Sequence, residues 1–274
     1  MIDLLELVLT ERCNMSCPGH CYVQAGPHRG HGSMTAGEWS RLLAEAALLG
    51  ASEVQLIGGE PTLHPAFIEI LTAASELDLD VEVFSNLTHI REEWWPLFTQ
   101  NKVRLATSYY SDRPEEHDRV TGTRGSHAKT RANILEAVRR GVSIRASIVE
   151  VLKGQRVDQA HADLRQLGVR YVKVDHKRAI GNGANGGLPS TSELCGRCGD
   201  RRVAVASDGS VGPCSIGARF LSAGNVRERP LRDILESAAW TQLLEKIPVR
   251  AGQGCNPDSD SNDCAPAGTE WEPE

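Results

Sequence analysis

Eight cysteines stand in two groups, at 13, 17 and 21, and again at 195, 198, 214, 255 and 264. Thiols grouped in this way either cross-link or bind metal. Disulfide frameworks belong to small secreted chains in oxidising compartments. This chain has 274 residues, and its first residues, Met1-Ile2-Asp3-Leu4-Leu5-Glu6, carry acids and no signal-cleavage site. Metal binding in the cytoplasm is therefore the expectation. Cys13-Asn14-Met15-Ser16-Cys17-Pro18-Gly19-His20-Cys21 places three thiolates on one loop. Three thiolates can hold three irons of a four-iron cubane and leave the fourth open; zinc is the alternative, and it would want a fourth ligand close by. Cys195-Gly196-Arg197-Cys198 is a knuckle suited to zinc or iron, and Cys214, Cys255 and Cys264 complete its set. Five thiols suffice for one fully ligated four-iron cluster with one thiol spare.

The elements that must position these loops follow from pattern. Short apolar, β-branched runs at 5–9, 53–57, 80–84, 103–108, 143–149 and 171–174 alternate with helical spacing at 35–49, 65–77, 92–98, 126–140 and 157–167. Thr35, with Glu38 three residues on, has the form of a capping box. Gly141 and Gly168 fall where helix C-caps belong. Six strand–helix repeats predict parallel strands with right-handed crossovers, as an open sheet or an incomplete barrel, with the chemistry at the C-terminal strand ends. The glycine-rich stretch 181–187 divides the chain into residues 1–180 and 181–274. Beyond it, Asp208-Gly209 marks a hairpin, and 231–246 reads as a helix. The net charge of −6, with short mixed basic stretches, argues against nucleic acid, and no apolar run is long enough to span a membrane.

The cysteine triplet, directly after the first strand, resembles the cluster loop of the radical S-adenosylmethionine (SAM) superfamily, usually Cys-x3-Cys-x2-Cys. Here the second gap holds three residues, as if Gly19 were inserted, and a glycine at positive φ could absorb the bulge. The resemblance implies an α/β fold, a partial (β/α)6 TIM-like barrel followed by a small cysteine-rich auxiliary-cluster domain. It also implies that Gly58-Gly59-Glu60-Pro61 binds the SAM amino group. Ser85, Asn86 and Ser108 would then contact the ribose, and Arg145 the carboxylate. His20 or Tyr22 would lie near the adenine. Cys-x13-Gly-x4-Cys, ending at Cys214, resembles the auxiliary domain called SPASM and its shorter twitch variant, as do Gly224-Asn225-Val226 and the lead-in Arg178-Ala179-Ile180-Gly181-Asn182-Gly183. A full SPASM domain uses seven cysteines, so one auxiliary [4Fe-4S] cluster is expected here. Cys195, Cys198 and Cys214 would be ligands, with Cys255 or Cys264 as the fourth.

The cofactors so implied are a SAM-binding [4Fe-4S] cluster, one auxiliary [4Fe-4S] cluster and SAM itself, reduced by an external electron donor. The activity implied is reductive SAM cleavage followed by hydrogen abstraction, most simply to cross-link a ribosomally made peptide. The first strand begins within about three residues of Met1, so a separate leader-peptide recognition protein is expected to replace a leader-binding domain. The alternatives are an epimerase of a sugar, aminoglycoside or other natural-product intermediate, with Cys255 or Cys264 as hydrogen donor, and a non-catalytic zinc-binding interaction protein. Tyr109, Tyr110, Glu115, His117 and Asp118 follow the fourth strand, where they would meet substrate or merely cap a loop.

Overall fold

The computed structural model describes residues 1–248. Six strands with five helical connections come first: β1 (Leu4–Val8), α1 (Ala36–Leu48), β2 (Glu53–Ile57), α2 (Phe67–Glu76), β3 (Asp80–Phe84), α3 (Trp95–Phe98), β4 (Val103–Tyr109), α4 (Pro114–Thr121), α5 (Ser126–Arg139), β5 (Ser143–Glu150), α6 (Val157–Gln166) and β6 (Tyr171–His176). After them come β7 (Arg202–Val205), β8 (Val211–Gly212), α7 (Leu231–Leu235) and α8 (Ala238–Leu244).

The strand order is β6-β5-β4-β3-β2-β1-β7-β8, parallel from β6 to β7, with β8 antiparallel to β7. A doubly wound sheet reverses its order beside the first strand; here β1 to β6 are neighbours in sequence order. Right-handed crossovers then place every helix on the same face, and the sheet curls into a partial barrel. The hairpin predicted beyond the glycine-rich stretch joins this sheet: β7 pairs with β1, Leu5 opposite Val203 and Leu7 opposite Val205. Pairing over some two hundred residues of sequence leaves no local signal.

Helices pack by simple stripes. In α1, Trp39, Leu42, Leu43 and Ala46 are buried, and in α2 Phe67, Ile70, Leu71 and Ala74, the i, i+3, i+4, i+7 face of an amphipathic helix. Thr35 and Glu38 form the expected capping box. Two expected helices are broken. Pro96 confines α3 to 95–98, after a 3₁₀ turn at Glu92–Trp94. Ser237 caps α8 by accepting from Trp240 N–H at 3.2 Å, dividing 231–246 in two. An unexpected helix, α4, opens on Pro114, carries Glu115 and Glu116 in its first turn, and ends at left-handed Gly122 (φ 63°). Asp118 does cap, although a helix rather than a loop: it accepts from the N–H groups of Gly125 and His127 at the start of α5.

Candidate active site

The C-terminal end of β1 runs directly into the cysteine loop, and the end of β2 is zipped to it. Gly59 N–H donates to Thr10 O (2.7 Å) and Glu60 N–H to Arg12 O (2.9 Å). A side chain on Gly59 would overlap Arg12 O and come within 2.8 Å of Ala25 Cβ. The double glycine thus lets two strand ends approach as backbone alone. Farther along, Ser16 and Cys17 N–H both donate to Thr121 O, at 3.3 and 2.9 Å, and Cys21 N–H donates to Cys17 O. The residue that adopts positive φ is Cys17 (38°), not the inserted Gly19. A Cβ on Gly19 would meet only Val151 Cγ1, at an ordinary 3.7 Å. The loop therefore takes its bend at Cys17, where two donors to Thr121 O hold it.

A second strap comes from the chain after β6. Asn182 Nδ2 donates to Cys17 O (3.1 Å), and its N–H donates to Cys21 O (3.0 Å). Gly181 (φ 60°) lies so close that a Cβ there would stand 2.5 Å from Cys21 O. Sequence reading placed Gly181-Asn182 in a lead-in to the second domain; contact with the cysteine loop is visible only in three dimensions. Truncation in Asn182→Ala removes the Cys17 bond, worth about 1 kcal/mol net. We expect reconstituted iron at this loop to be lost to a chelator several-fold faster, followed by absorbance; an unchanged rate would show the strap to be idle.

Cys13, Cys17 and Cys21 line one cavity of about 330 Å³, together with Gly58, Gly59 and Phe84. Ser85, Asn86 and Ser108 line it from the C-terminal ends of β3 and β4, and Arg145 lines it from near the start of β5. Cys195, Cys198 and Cys214 line the same cavity from the other side. There Cys195 Sγ and Cys198 Sγ are 3.9 Å apart, and Cys198 and Cys214 are 3.2 Å apart. Glu6 ties this side to β1 by accepting from Ser215 N–H and Oγ–H, both at 3.0 Å. The two cysteine groups, widely separated in sequence, thus face a shared space. Cys255 and Cys264 lie outside the described residues.

Several of these side chains are held by partners that the sequence does not reveal. Glu60 does not line the cavity. It is buried, and its carboxylate accepts from Thr62 Oγ1 (2.6 Å), Thr62 N–H (3.2 Å), Ser85 Oγ (2.8 Å) and Asn86 N–H (2.8 Å). A carboxylate removed from water needs such donors, and here they clamp the end of β2 to the end of β3. Arg145 is committed to Glu82, by Nε (2.7 Å) and Nη2 (2.5 Å). Glu82 sits 1% exposed on β3 and requires the counter-charge. Tyr22 lines the cavity and packs against the apolar cluster that contains Cys13, with its hydroxyl bonded to Ser215 beside Cys214. His20 lines the cavity as well, its Nε2 lying 2.8 Å from Tyr110 Oη.

Sequence reading also missed Asn14. Asn86 Nδ2 donates to Asn14 Oδ1 (2.8 Å) and approaches Cys13 Sγ at 3.7 Å, while Asn14 Nδ2 donates to Thr88 Oγ1 (2.8 Å). The Asn14-x-Ser16 stretch between two cysteines was the available signal.

Burial pushes the Cys13 thiol up to about 12, with Glu60 adding to the shift, and burial likewise raises Cys17 and Cys21. Cys198 is raised by the neighbouring thiols of Cys195 and Cys214 first, then by burial. Such thiols stay neutral until a cation compensates the thiolate charge, so metal binding here expels protons. Soft thiolates in an apolar pocket, where Val8, Met15, Val23 and Ile57 are also buried, suit iron–sulfur chemistry.

The barrel with a thiol triplet at the mouth of its first strand defines the class. The Radical SAM superfamily matches over residues 7–167, and the chain belongs to it. An iron–sulfur cluster-binding SPASM domain matches over residues 195–264. These two matches imply a SAM-binding [4Fe-4S] cluster and an auxiliary iron–sulfur cluster, so the thiols are read for iron rather than zinc. The PqqA peptide cyclase of Rhodopseudomonas palustris is 32% identical over 124 residues, 45% of this chain and 33% of that one. The subtilosin biosynthesis protein AlbA of Bacillus subtilis is 22% identical over 284 residues, 91% of this chain and 63% of that one. The chain thus spans between a third and two thirds of these relatives. Among solved structures, Streptococcus suis SuiB bound to the precursor peptide SuiA aligns with a TM-score of 0.73 at 15% identity, covering 86% of this chain and 64% of that one. Native anSMEcpe with bound AdoMet aligns with a TM-score of 0.68 at 15% identity, covering 91% and 85%. Both show the shared fold. Among the described residues no helix is long and apolar enough to cross a membrane.

Proposed function

We propose that the protein modifies a ribosomally synthesised peptide, forming a cross-link between side chains. The observation that carries this reading is the single cavity faced by both cysteine groups. A substrate there lies between a site that generates a radical and a second cluster able to accept the remaining electron, which is the balance an oxidative cross-link needs. Of the relatives named above, one is by name a peptide cyclase and the other serves the biosynthesis of the bacteriocin subtilosin, and SuiB has been seen with its precursor peptide.

Cys13, Cys17 and Cys21 would hold the first cluster; Cys195, Cys198 and Cys214 would contribute to the second, with Cys255 or Cys264. When bound, the first cluster and SAM supply a 5′-deoxyadenosyl radical that takes hydrogen from an unactivated C–H bond. The chain's own contribution is placement. Gly58 and Gly59 line the cavity at the end of β2, where backbone carbonyls would meet an ammonium, while Asn86 and Ser108 would offer polar contacts at the next strand ends. Phe84, Val149 and Ile216 exclude water from the same space. Glu60 would act through the scaffold, while Arg145 lines the cavity with its guanidinium anchored by Glu82. Reduction requires an external low-potential donor, and capture of the peptide would involve a separate leader-recognition protein.

The test is to incubate the reconstituted enzyme, SAM and reductant with each short peptide encoded beside its gene, and to follow peptide mass. Loss of two hydrogen masses is expected. Gain of one deuterium in heavy water would instead mark epimerisation, and modification of a carbohydrate in place of any peptide would overturn the reading.

A further inference from the structure

A run of phenol and imidazole rings leads away from the cavity on the β4 side. Tyr110 lines the cavity and shares a hydrogen bond with His20, one residue before Cys21; His20 Nδ1 is buried without a partner among the described residues. The Tyr110 ring stands 5.3 Å from His117, which stands 5.2 Å from Tyr109 and 5.3 Å from His127. Tyr109 Oη donates to Asp163 Oδ2 at 2.6 Å and lies 2.9 Å from His127 Nε2. Arg131 fixes Asp163 through Nε and Nη2, at 3.1 and 2.8 Å, and opens to solvent with its side chain 40% exposed. Packing alone would be served by phenylalanine. Two buried phenols, each with a base at hydrogen-bond distance and an imidazole between them, form an arrangement in which oxidation can be reversible, because each proton has a place to go as the electron leaves.

We infer that Tyr110 is redox-active: when no substrate C–H bond is in place, it gives its phenolic hydrogen atom to the 5′-carbon radical. The inference rests on the radical SAM reading above. The O–H bond breaks, a methyl C–H bond forms, and Tyr110 is left as a neutral phenoxyl radical. One electron then passes from Tyr109 to Tyr110 across His117. The Tyr109 proton moves to Asp163 and on to solvent, and Tyr110 recovers a proton from the cavity through His20. The Tyr109 radical is finally quenched by one electron and one proton, the electron coming from the same class of low-potential donor that serves the cluster. The pair thus drains an uncoupled radical toward the surface instead of leaving it beside the cysteines.

The experiment is one turnover without substrate. Reduce the reconstituted enzyme stoichiometrically, remove excess reductant, add SAM in heavy water, then freeze one portion for electron paramagnetic resonance and recover the 5′-deoxyadenosine from another. One deuterium in the 5′-deoxyadenosine and a tyrosyl signal are expected, and the signal should narrow when the protein is made with ring-deuterated tyrosine. In Tyr110→Phe the deuterium content should fall at least tenfold, and in Tyr109→Phe it should persist while the signal decays faster. The labelled wild-type enzyme keeps the test decisive if either variant folds poorly. Protium-only 5′-deoxyadenosine from the wild type, or undiminished deuterium from Tyr110→Phe, would overturn the inference and assign the hydrogen elsewhere. Absence of 5′-deoxyadenosine from an iron-loaded wild type would overturn the underlying reading with it.

Discussion

Glu82→Gln is expected to lower the unfolding free energy by about 3–5 kcal/mol, the range for removing one partner of a buried ion pair. Glu82 accepts from Gln55 Nε2 (2.5 Å), Arg104 Nε (3.0 Å) and both Arg145 contacts, and is 1% exposed. Glutamine keeps the shape but removes the charge that two guanidiniums require. At about 2–4 °C per kcal/mol for a chain of this size, the melting temperature should fall by roughly 10 °C. Burial pushes the Glu82 carboxyl up, but Arg145 and Arg104 outweigh it and hold it below its ordinary 4.5. Its folded value is depressed, so its contribution is complete above pH 4.5 and is lost as pH falls through the lower folded value. Denaturant melts should show the gap between wild type and variant closing below pH 4.5. A gap that is small at neutral pH, or that widens in acid, would contradict the assignment.

Gly59→Val should disable the first cysteine group while leaving the fold in place. The new side chain would collide with Arg12 O and Ala25 Cβ, forcing the end of β2 away from the loop. A displacement of about 1 Å at a reacting centre costs on the order of 10²-fold in rate. We therefore expect SAM cleavage to fall by about that factor, with far-ultraviolet circular dichroism retained. Gly19→Ala is the contrasting variant: its Cβ meets only Val151 at contact distance, so cleavage should stay within about threefold. Equal losses in both would mean that the loop tolerates no side chain anywhere, and that the close approach at Gly59 is incidental.

What was legible in the sequence was local. Strand β2 begins and ends where its apolar run does, and the Thr35 capping box is visible as two residues. Gly141 and Gly168 take the positive φ that helix endings ask for (73° and 93°). The cysteine triplet could be placed because it follows a strand directly. What depended on distant packing was not legible. That β7 would join β1 is decided by a sheet edge, not by any residue of either strand. Asn182 reaches the cysteine loop from 165 residues away. Glu60 could be marked as important from its place after two glycines, but its direction is set by Thr62, Ser85 and Asn86, the last two on another strand end. The resemblance marks Arg145 in the fifth strand as a ligand's partner; that it also pairs with Glu82, on β3, is invisible in one dimension. The extra residue in the loop was assigned to Gly19 by residue type, whereas the bend fell at Cys17, where Thr121 offers an acceptor.

On the reading proposed above, Cys13, Cys17 and Cys21 carry a cluster that cleaves SAM, beside a second cluster held by the later cysteines. The decisive experiment reconstitutes the protein without oxygen, counts iron and sulfide, and measures 5′-deoxyadenosine after dithionite and SAM are added. The comparison is a variant with Cys13, Cys17 and Cys21 all changed to alanine. Two four-iron clusters predict about eight irons in the wild type and about four in the variant, with 5′-deoxyadenosine from the wild type alone. Zinc in place of iron, or equal 5′-deoxyadenosine from both proteins, would contradict it.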